Sequence, residues 1–213
     1  MVAFVARSPS PGYPPAVPKR IFDVAVTLVV SPIALVIAAV MAAILAVDLR
    51  GNPFYFQQRI GRGGKPFTMY KLRTMRHAPP GEEPNYAVDD WRTFVFAPAG
   101  ERSPRITRIG AFARKTSLDE LPNLANVLKG EMSLVGPRPE IPEIVNQYPA
   151  AYHRRHEVLP GIAGLAQVNG RSDLTYDEIA QYDLQYVEHH SVLTDIHILW
   201  RTALAVFTRT GAR

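Results

Sequence analysis

Hydrophobic and polar positions are distributed very unevenly along this chain. After Lys19-Arg20-Ile21-Phe22-Asp23, an uncharged run of 24 residues extends from Val24 to Val47 and closes at Asp48, Leu49 and Arg50. As one helix it would cover ~36 Å, more than the ~30 Å hydrocarbon core of a bilayer. No face of it is polar, which argues against a buried helix of a soluble core. It also exceeds a usual signal-peptide core and lacks a clean small-residue cleavage site. The pattern predicts a membrane-embedded helix.

Ser31-Pro32 interrupts the run near its first third. Proline removes a donor and clashes with the preceding turn, and the serine hydroxyl can bond a freed carbonyl, so a bend or break is expected there. A kinked helix can still cross, or two halves can enter and leave on one side. Lys19 and Arg20 precede the run; Arg50, Arg59, Arg62 and Lys65 follow it. Basic residues at both ends favour a cytoplasmic position for each. These residues alone leave the two topologies open.

Outside the run the periods are shorter. Residues 1–18 hold five prolines, no acid and no apolar repeat, and read as an irregular leader. Gly51-Asn52-Pro53 reads as a turn and Phe54-Tyr55-Phe56 as a short strand. Residues 77–104 read as a surface excursion in which Trp91 and Phe94 are core or interfacial anchors. Leu118 through Leu128 has helical spacing, with Ser117 as its cap and Lys129-Gly130 as its stop. Pro160 to Arg171 reads as a Gly-rich strand and turn. Residues 174–207 read as amphipathic helix, with Tyr176, Tyr182, Tyr186 and Trp200 available to a membrane interface.

Charge and composition narrow the partners. The 213 residues suit one domain, or one domain with an appendage. They carry 24 Lys and Arg against 19 Asp and Glu, an excess of +5 that invites nucleic acid, anionic lipid or a multiply phosphorylated small molecule. With no cysteine, disulfides and thiolate zinc sites are excluded.

The candidate chemistry lies in three places. Asp119 and Glu120 stand side by side behind Arg105, Arg108, Arg114 and Lys115. Phosphate chemistry needs a carboxylate to attack or hold a metal, with cations to neutralise the phosphates. A Leu-Asp-Glu-Leu run by itself is more often an ordinary first helical turn. Six basic residues and no acid lie between Arg59 and Arg76, threaded with Gly61, Gly63 and Gly64. This is a phosphate-binding loop or a basic face on anionic lipid, and on a strand Lys71 and Arg73 point to one side. Pro137 and Pro139 bracket Arg138, whose fixed backbone suits bidentate phosphate recognition. His153 and His156, with Arg154 and Arg155, read as a solvated helix face, since no third zinc ligand is suitably spaced.

Together these segments resemble the bacterial sugar transferases that act on polyprenyl phosphate, the monotopic phosphoglycosyl transferases. The resemblance starts at Lys19 to Asp23 and runs through Ser31-Pro32, Tyr70 to Met75 and Arg105 to Gly110. It continues through Thr116 to Asn123, Ser133 to Glu140 and Pro160 to Arg171, and ends near Asp195 and Gly211-Ala212. It implies an α+β fold: a re-entrant membrane helix over 19–50, broken at Ser31 and Pro32, then a small, mainly helical cytosolic catalytic domain over 51–213. Short strands and interfacial amphipathic helices complete that domain. It implies transfer of a sugar 1-phosphate from a UDP-sugar to undecaprenyl phosphate with release of UMP, through a covalent aspartyl adduct and with Mg2+. Asp119 becomes nucleophile and metal contact, and Glu120 assists. Lys71, Arg73, Arg114 and Arg171 become phosphate or substrate contacts, and Pro137, Arg138 and Pro139 lie against the uridine diphosphate.

The implied partners are the UDP-sugar, the polyprenyl phosphate and membrane lipid rather than nucleic acid. The implied place is the cytoplasmic face of the bacterial inner membrane. Ser103, Leu165 and His189-His190 depart from the pattern where Asp, Trp and Asn-Trp are common, all away from the dyad. Larger relatives carry extra transmembrane helices, and the chain reads as the minimal catalytic form. A non-catalytic membrane-anchored module explains the charge and the apolar run, but not the Asp-Glu placement. A multi-pass transferase needs more apolar spans. The sugar, the destination glycan and the oligomeric state, with a homodimer among the options, are not readable.

Overall fold

The computed structural model describes residues 16–79, 86–95, 103–170 and 174–208. Its first element is a single helix, α1 (Ala16–Leu49), of 34 residues with Pro32 inside it. The expected separation at Ser31-Pro32 into two half-helices is therefore not what is observed: helical backbone continues through the proline. Apolar side chains on both sides of Pro32 sustain the helix, so one lost donor does not end it. Val29, Ile33, Leu35 and Val36 stand out from the protein along its middle. Both ends are held. Near the start, Phe22 and Val26 pack on the central core; near the finish, Met41, Ala42 and Leu45 pack with Leu72 and Ala113.

The chain then forms an antiparallel hairpin, β1 (Phe54–Ile60) and β2 (Pro66–Leu72), with Tyr55 opposite Lys71 and Ile60 opposite Pro66. The glycine-rich link between them needs Gly63 and Gly64 at positive φ. Helix α2 (Arg108–Lys115) is capped by Thr107, whose hydroxyl accepts from Gly110 N. Next come a 3-10 turn over Leu118–Asn123 and α3 (Leu124–Lys129), ended by Gly130 in the left-handed region. The stop matches expectation, whereas the uniform helix does not. Ser117 is itself left-handed, with φ 57, and its hydroxyl caps nothing. The tighter turn follows from Pro122, which cannot donate within it.

A second sheet pairs β3 (Ser133–Val135) in parallel with β4 (Gly161–Ala163). Between them lie α4 (Pro142–Val145) and a 3-10 turn over Ala150–Glu157. After β4 come α5 (Leu165–Asn169), α6 (Tyr176–His189) and α7 (Val192–Thr208). A capping box at Thr175 and Glu178 starts α6.

The central core gathers Phe67, Met69, Val127, Met132, Val135, Tyr186, Val187 and Ile198 from both sheets and α3, α6 and α7. Three expectations change here. Tyr176 and Tyr186 are buried and do not face a membrane, although Trp200, Leu193 and Ile196 are exposed. Arg155 and His156 are buried too, so the 153–156 stretch is not a solvated face. Trp91 resolves as core, packed edge-on against Tyr148, Tyr152 and Tyr176.

Candidate active site

Three elements converge on one carboxylate. Lys71, near the end of β2, donates from Nζ to Glu120 Oε1 at 3.0 Å. Arg138, on the loop after β3, donates from Nη2 to the same oxygen at 2.9 Å. The 3-10 turn supplies Glu120, and Asn126 fastens that region to β2: its Oδ1 accepts from Tyr70 N, and its Nδ2 donates to Thr68 O at 2.7 Å. A tight turn against a strand edge thus brings two cations onto an acid 49 residues distant from one and 18 from the other.

The two acids differ in electrostatics. Burial pushes the Glu120 carboxyl up, but Arg138 and Lys71 outweigh it and hold the group well below the usual carboxylate range. Desolvation raises Asp119 to about 6, and the neighbouring Glu120 charge adds to the rise. Lys71 is lowered by burial and by Arg138, against the pull of Glu120. Arg138 moves up because Glu120 faces it. Among the described residues Asp119 has no side-chain hydrogen bond or ion pair, while the fields of Lys71, Arg138 and Arg114 reach it. The site therefore holds Glu120, pinned by two cations and held ionised, beside Asp119, which neither cation contacts.

The other expected residues divide. Pro137, Arg138 and Pro139 line a recess with Ile60, Gly61 and Pro160. Arg114 lies in the last turn of α2, with Nη1 3.4 Å from Met75 Sδ. Arg73 lies one residue beyond β2, and its guanidinium meets His77 Nε2 at 2.6 Å rather than joining Lys71 on Glu120. Arg171 lies outside the described residues. Sequence reasoning places Arg59 only in the basic run and Arg155 on a solvated face; Arg59 pairs with Glu140 at 3.3 Å, and Arg155 is buried. No local pattern marks either, because their partners are remote in sequence.

No group of three or more His, Asp or Glu side chains suited to a metal is present among the described residues. Mg2+ does not require one, since it is commonly held by one or two carboxylates together with substrate phosphates and waters. An Asp119 carboxylate paired with no cation among the described residues fits that donor set.

The fold sets an adjacent acid pair beside two cations, on a domain that carries a helix long and apolar enough to cross a membrane. Residues 15–209 match the family model described as bacterial sugar transferase, and the chain belongs to that family. The galactosyl transferase CpsE of Streptococcus agalactiae is 40% identical over 205 residues, covering 94% of this chain and 44% of the relative. The undecaprenyl-phosphate galactose phosphotransferase of Salmonella typhimurium is 39% identical over 201 residues, covering 91% and 41%. The exopolysaccharide production protein ExoY of Rhizobium meliloti is 37% identical over 207 residues, covering 91% and 87%. The chain thus spans less than half the length of the first two and most of the third.

Proposed function

We propose that this chain transfers a sugar 1-phosphate from a UDP-sugar to undecaprenyl phosphate, as an initiating step of cell-surface glycan synthesis. The observation that carries the reading is the contrast inside the dyad: Glu120 is pinned by Lys71 and Arg138, while Asp119, buried beside them, has no side-chain partner among the described residues. The membership in the sugar transferase family and the named activities of the relatives support the substrates.

In the first half-reaction an Asp119 carboxylate oxygen attacks the sugar-bearing phosphorus of the UDP-sugar. The phosphorus–oxygen bond to the uridine phosphate breaks, and UMP leaves with that electron pair. In the second, an oxygen of undecaprenyl phosphate attacks the same phosphorus, and the Asp119 carboxylate departs. Lys71 and Arg138 supply positive charge beside the reacting phosphates, and Glu120 keeps both in place. A bound Mg2+, with Asp119 as its protein contact, would add charge neutralisation between carboxylate and diphosphate.

The membrane arrangement is part of the proposal. Both ends of α1 pack on one globular domain, which a helix crossing to the far side could not do. The exposed apolar middle of α1 then dips into the bilayer from the cytoplasmic side without crossing it. Exposed Leu193, Ile196 and Trp200 on α7 suit the interface.

The test is UMP release from a panel of UDP-sugars, with undecaprenyl phosphate and Mg2+ in detergent. One donor is expected to give UMP in the wild type, none in Asp119→Asn, and none after chelation. Equal release by Asp119→Asn, or full activity in excess chelator, would overturn the mechanism.

A further inference from the structure

The loop that carries Arg138 to Glu120 has no backbone donor at either proline, so it is held mainly through its carbonyls. All three are engaged. Gly161 N donates to Pro137 O at 3.0 Å, Arg155 Nη2 to Arg138 O at 2.9 Å and Arg59 Nη1 to Pro139 O at 3.2 Å. The donors come from β4, from the 150–157 turn and from β1.

Arg155 is the least expected of them. Its side chain is only 2% exposed, as is that of Asp183 on α6, which accepts from its Nη2 at 2.5 Å. Its Nη1 donates to Tyr176 Oη at 2.6 Å and also to Tyr148 Oη. A buried ion pair is a poor source of stability, since well-packed apolar residues can serve as well. A guanidinium fixed by an acid and two phenols offers instead a rigid, planar donor at one place. That place is the carbonyl of the residue whose own guanidinium reaches Glu120.

We infer that Arg155 is a positioning residue for the reaction: anchored by Asp183, Tyr148 and Tyr176, it holds the Arg138 backbone so that the Arg138 guanidinium meets Glu120. It touches no reacting atom. The inference rests on the functional reading of the dyad given above.

Two readouts test it on the full chain in detergent. Lysine at 155 keeps the charge but cannot present the same fork to Asp183 and to the Arg138 carbonyl. Arg155→Lys is expected to lower kcat for UMP release by about 100-fold, the scale of an ångström-sized misplacement. In an Arg138→Ala background the same change should move kcat by no more than about twofold, because the group being positioned is gone. Losses in melting temperature should add in the double variant, since the backbone carbonyl survives Arg138→Ala. Additive losses in kcat would assign Arg155 a merely structural role and overturn the inference.

The second readout is the structure of Arg155→Lys, in which the Arg138–Glu120 pair is expected to separate; an unmoved pair overturns the inference. This readout decides the matter even if the wild type releases no UMP, a result that would instead count against the functional reading. Should Arg155→Lys fail to fold, Asp183→Asn keeps an acceptor for Arg155 and takes its place in both readouts. It is expected to lower kcat by about 10-fold only where Arg138 is present.

Discussion

Asp119 and Glu120 are adjacent in the chain, yet their surroundings differ, and the proposed mechanism gives them separate work. Glu120 is fixed by Lys71 and Arg138, so Glu120→Gln should release both cations and lower turnover on the order of 100-fold. Asp119→Asn should leave fold and charge cluster in place but remove the attacking oxygen. Intact-mass measurement after incubation with the donor sugar nucleotide and Mg2+ separates them: the wild type gains one phosphosugar, and Asp119→Asn gains none. A retained adduct in Asp119→Asn would place the nucleophile elsewhere.

His156 makes a different residue-scale prediction. Burial, with Arg155 and His153 adding, lowers it to about 3 from its ordinary 6.5, and its Nδ1 is buried without a partner among the described residues. Between those values the unfolded chain binds the proton and the folded one does not, so stability rises with pH across that window and falls on acidification. The slope from this group is roughly 1.4 kcal/mol per pH unit. Denaturation of wild type and His156→Leu between pH 7 and pH 4 should show a shallower acid loss in the variant. Identical slopes would mean that His156 takes up its proton in the fold as readily as in the unfolded chain.

At the scale of elements, the short parallel pair β3 and β4 matters beyond its size. Its backbones approach so closely at Gly161 that a side chain there would overlap Gly136 N and the Val135 carbonyl carbon. Gly161→Ala should therefore push the strands apart, loosen the Gly161 N to Pro137 O bond and lower stability by about 1–3 kcal/mol. Activity should fall with it, read as UMP release below the variant's melting temperature. A variant as stable and active as wild type would show that the strands can part without disturbing Arg138.

What could be read in advance follows from range. The Phe54-Tyr55-Phe56 strand, the Gly130 stop and the helical C-terminal stretch are local: aromatic residues after a turn, a left-handed glycine and apolar periodicity mark them. The dyad was legible because its acids are contiguous and its cations sit in short motifs. Arg155 was misread as solvated because its partners, Asp183, Tyr148, Tyr176 and the Arg138 carbonyl, lie 7 to 28 residues away. Ser117 was misread because Pro122 and the approach to β2 favour a tight turn over a capped helix. Tyr176 and Tyr186 look interfacial by type and are core by packing, which no single-helix pattern distinguishes.

At the scale of the whole molecule, α1 sets how the domain meets the membrane. Lys19 Nζ binds Asp195 Oδ2 on α7 at 2.5 Å and Val135 O at 3.1 Å, and Arg20 donates to Val127 O and Leu128 O. At the other end Leu45 is wholly buried against the core of β2 and α2. Detaching one end to reach the far side of a bilayer would break these bonds and carry Lys19 and Arg20 across it. Replacing Ser31 and Pro32 by helix formers should favour a spanning helix over that double attachment, because its apolar length suffices to cross. The chain has no cysteine, so single cysteines at Ser10 and Lys65 give no background from the protein itself. In intact cells a membrane-impermeant thiol reagent should label neither site in the native helix, and both after permeabilisation. In the Ser31→Ala, Pro32→Ala variant the Ser10→Cys site should become labelled while the Lys65→Cys site stays protected. Labelling of Ser10→Cys already in the native helix would establish a spanning helix, and the packing of both α1 ends on one domain could not then hold in the membrane.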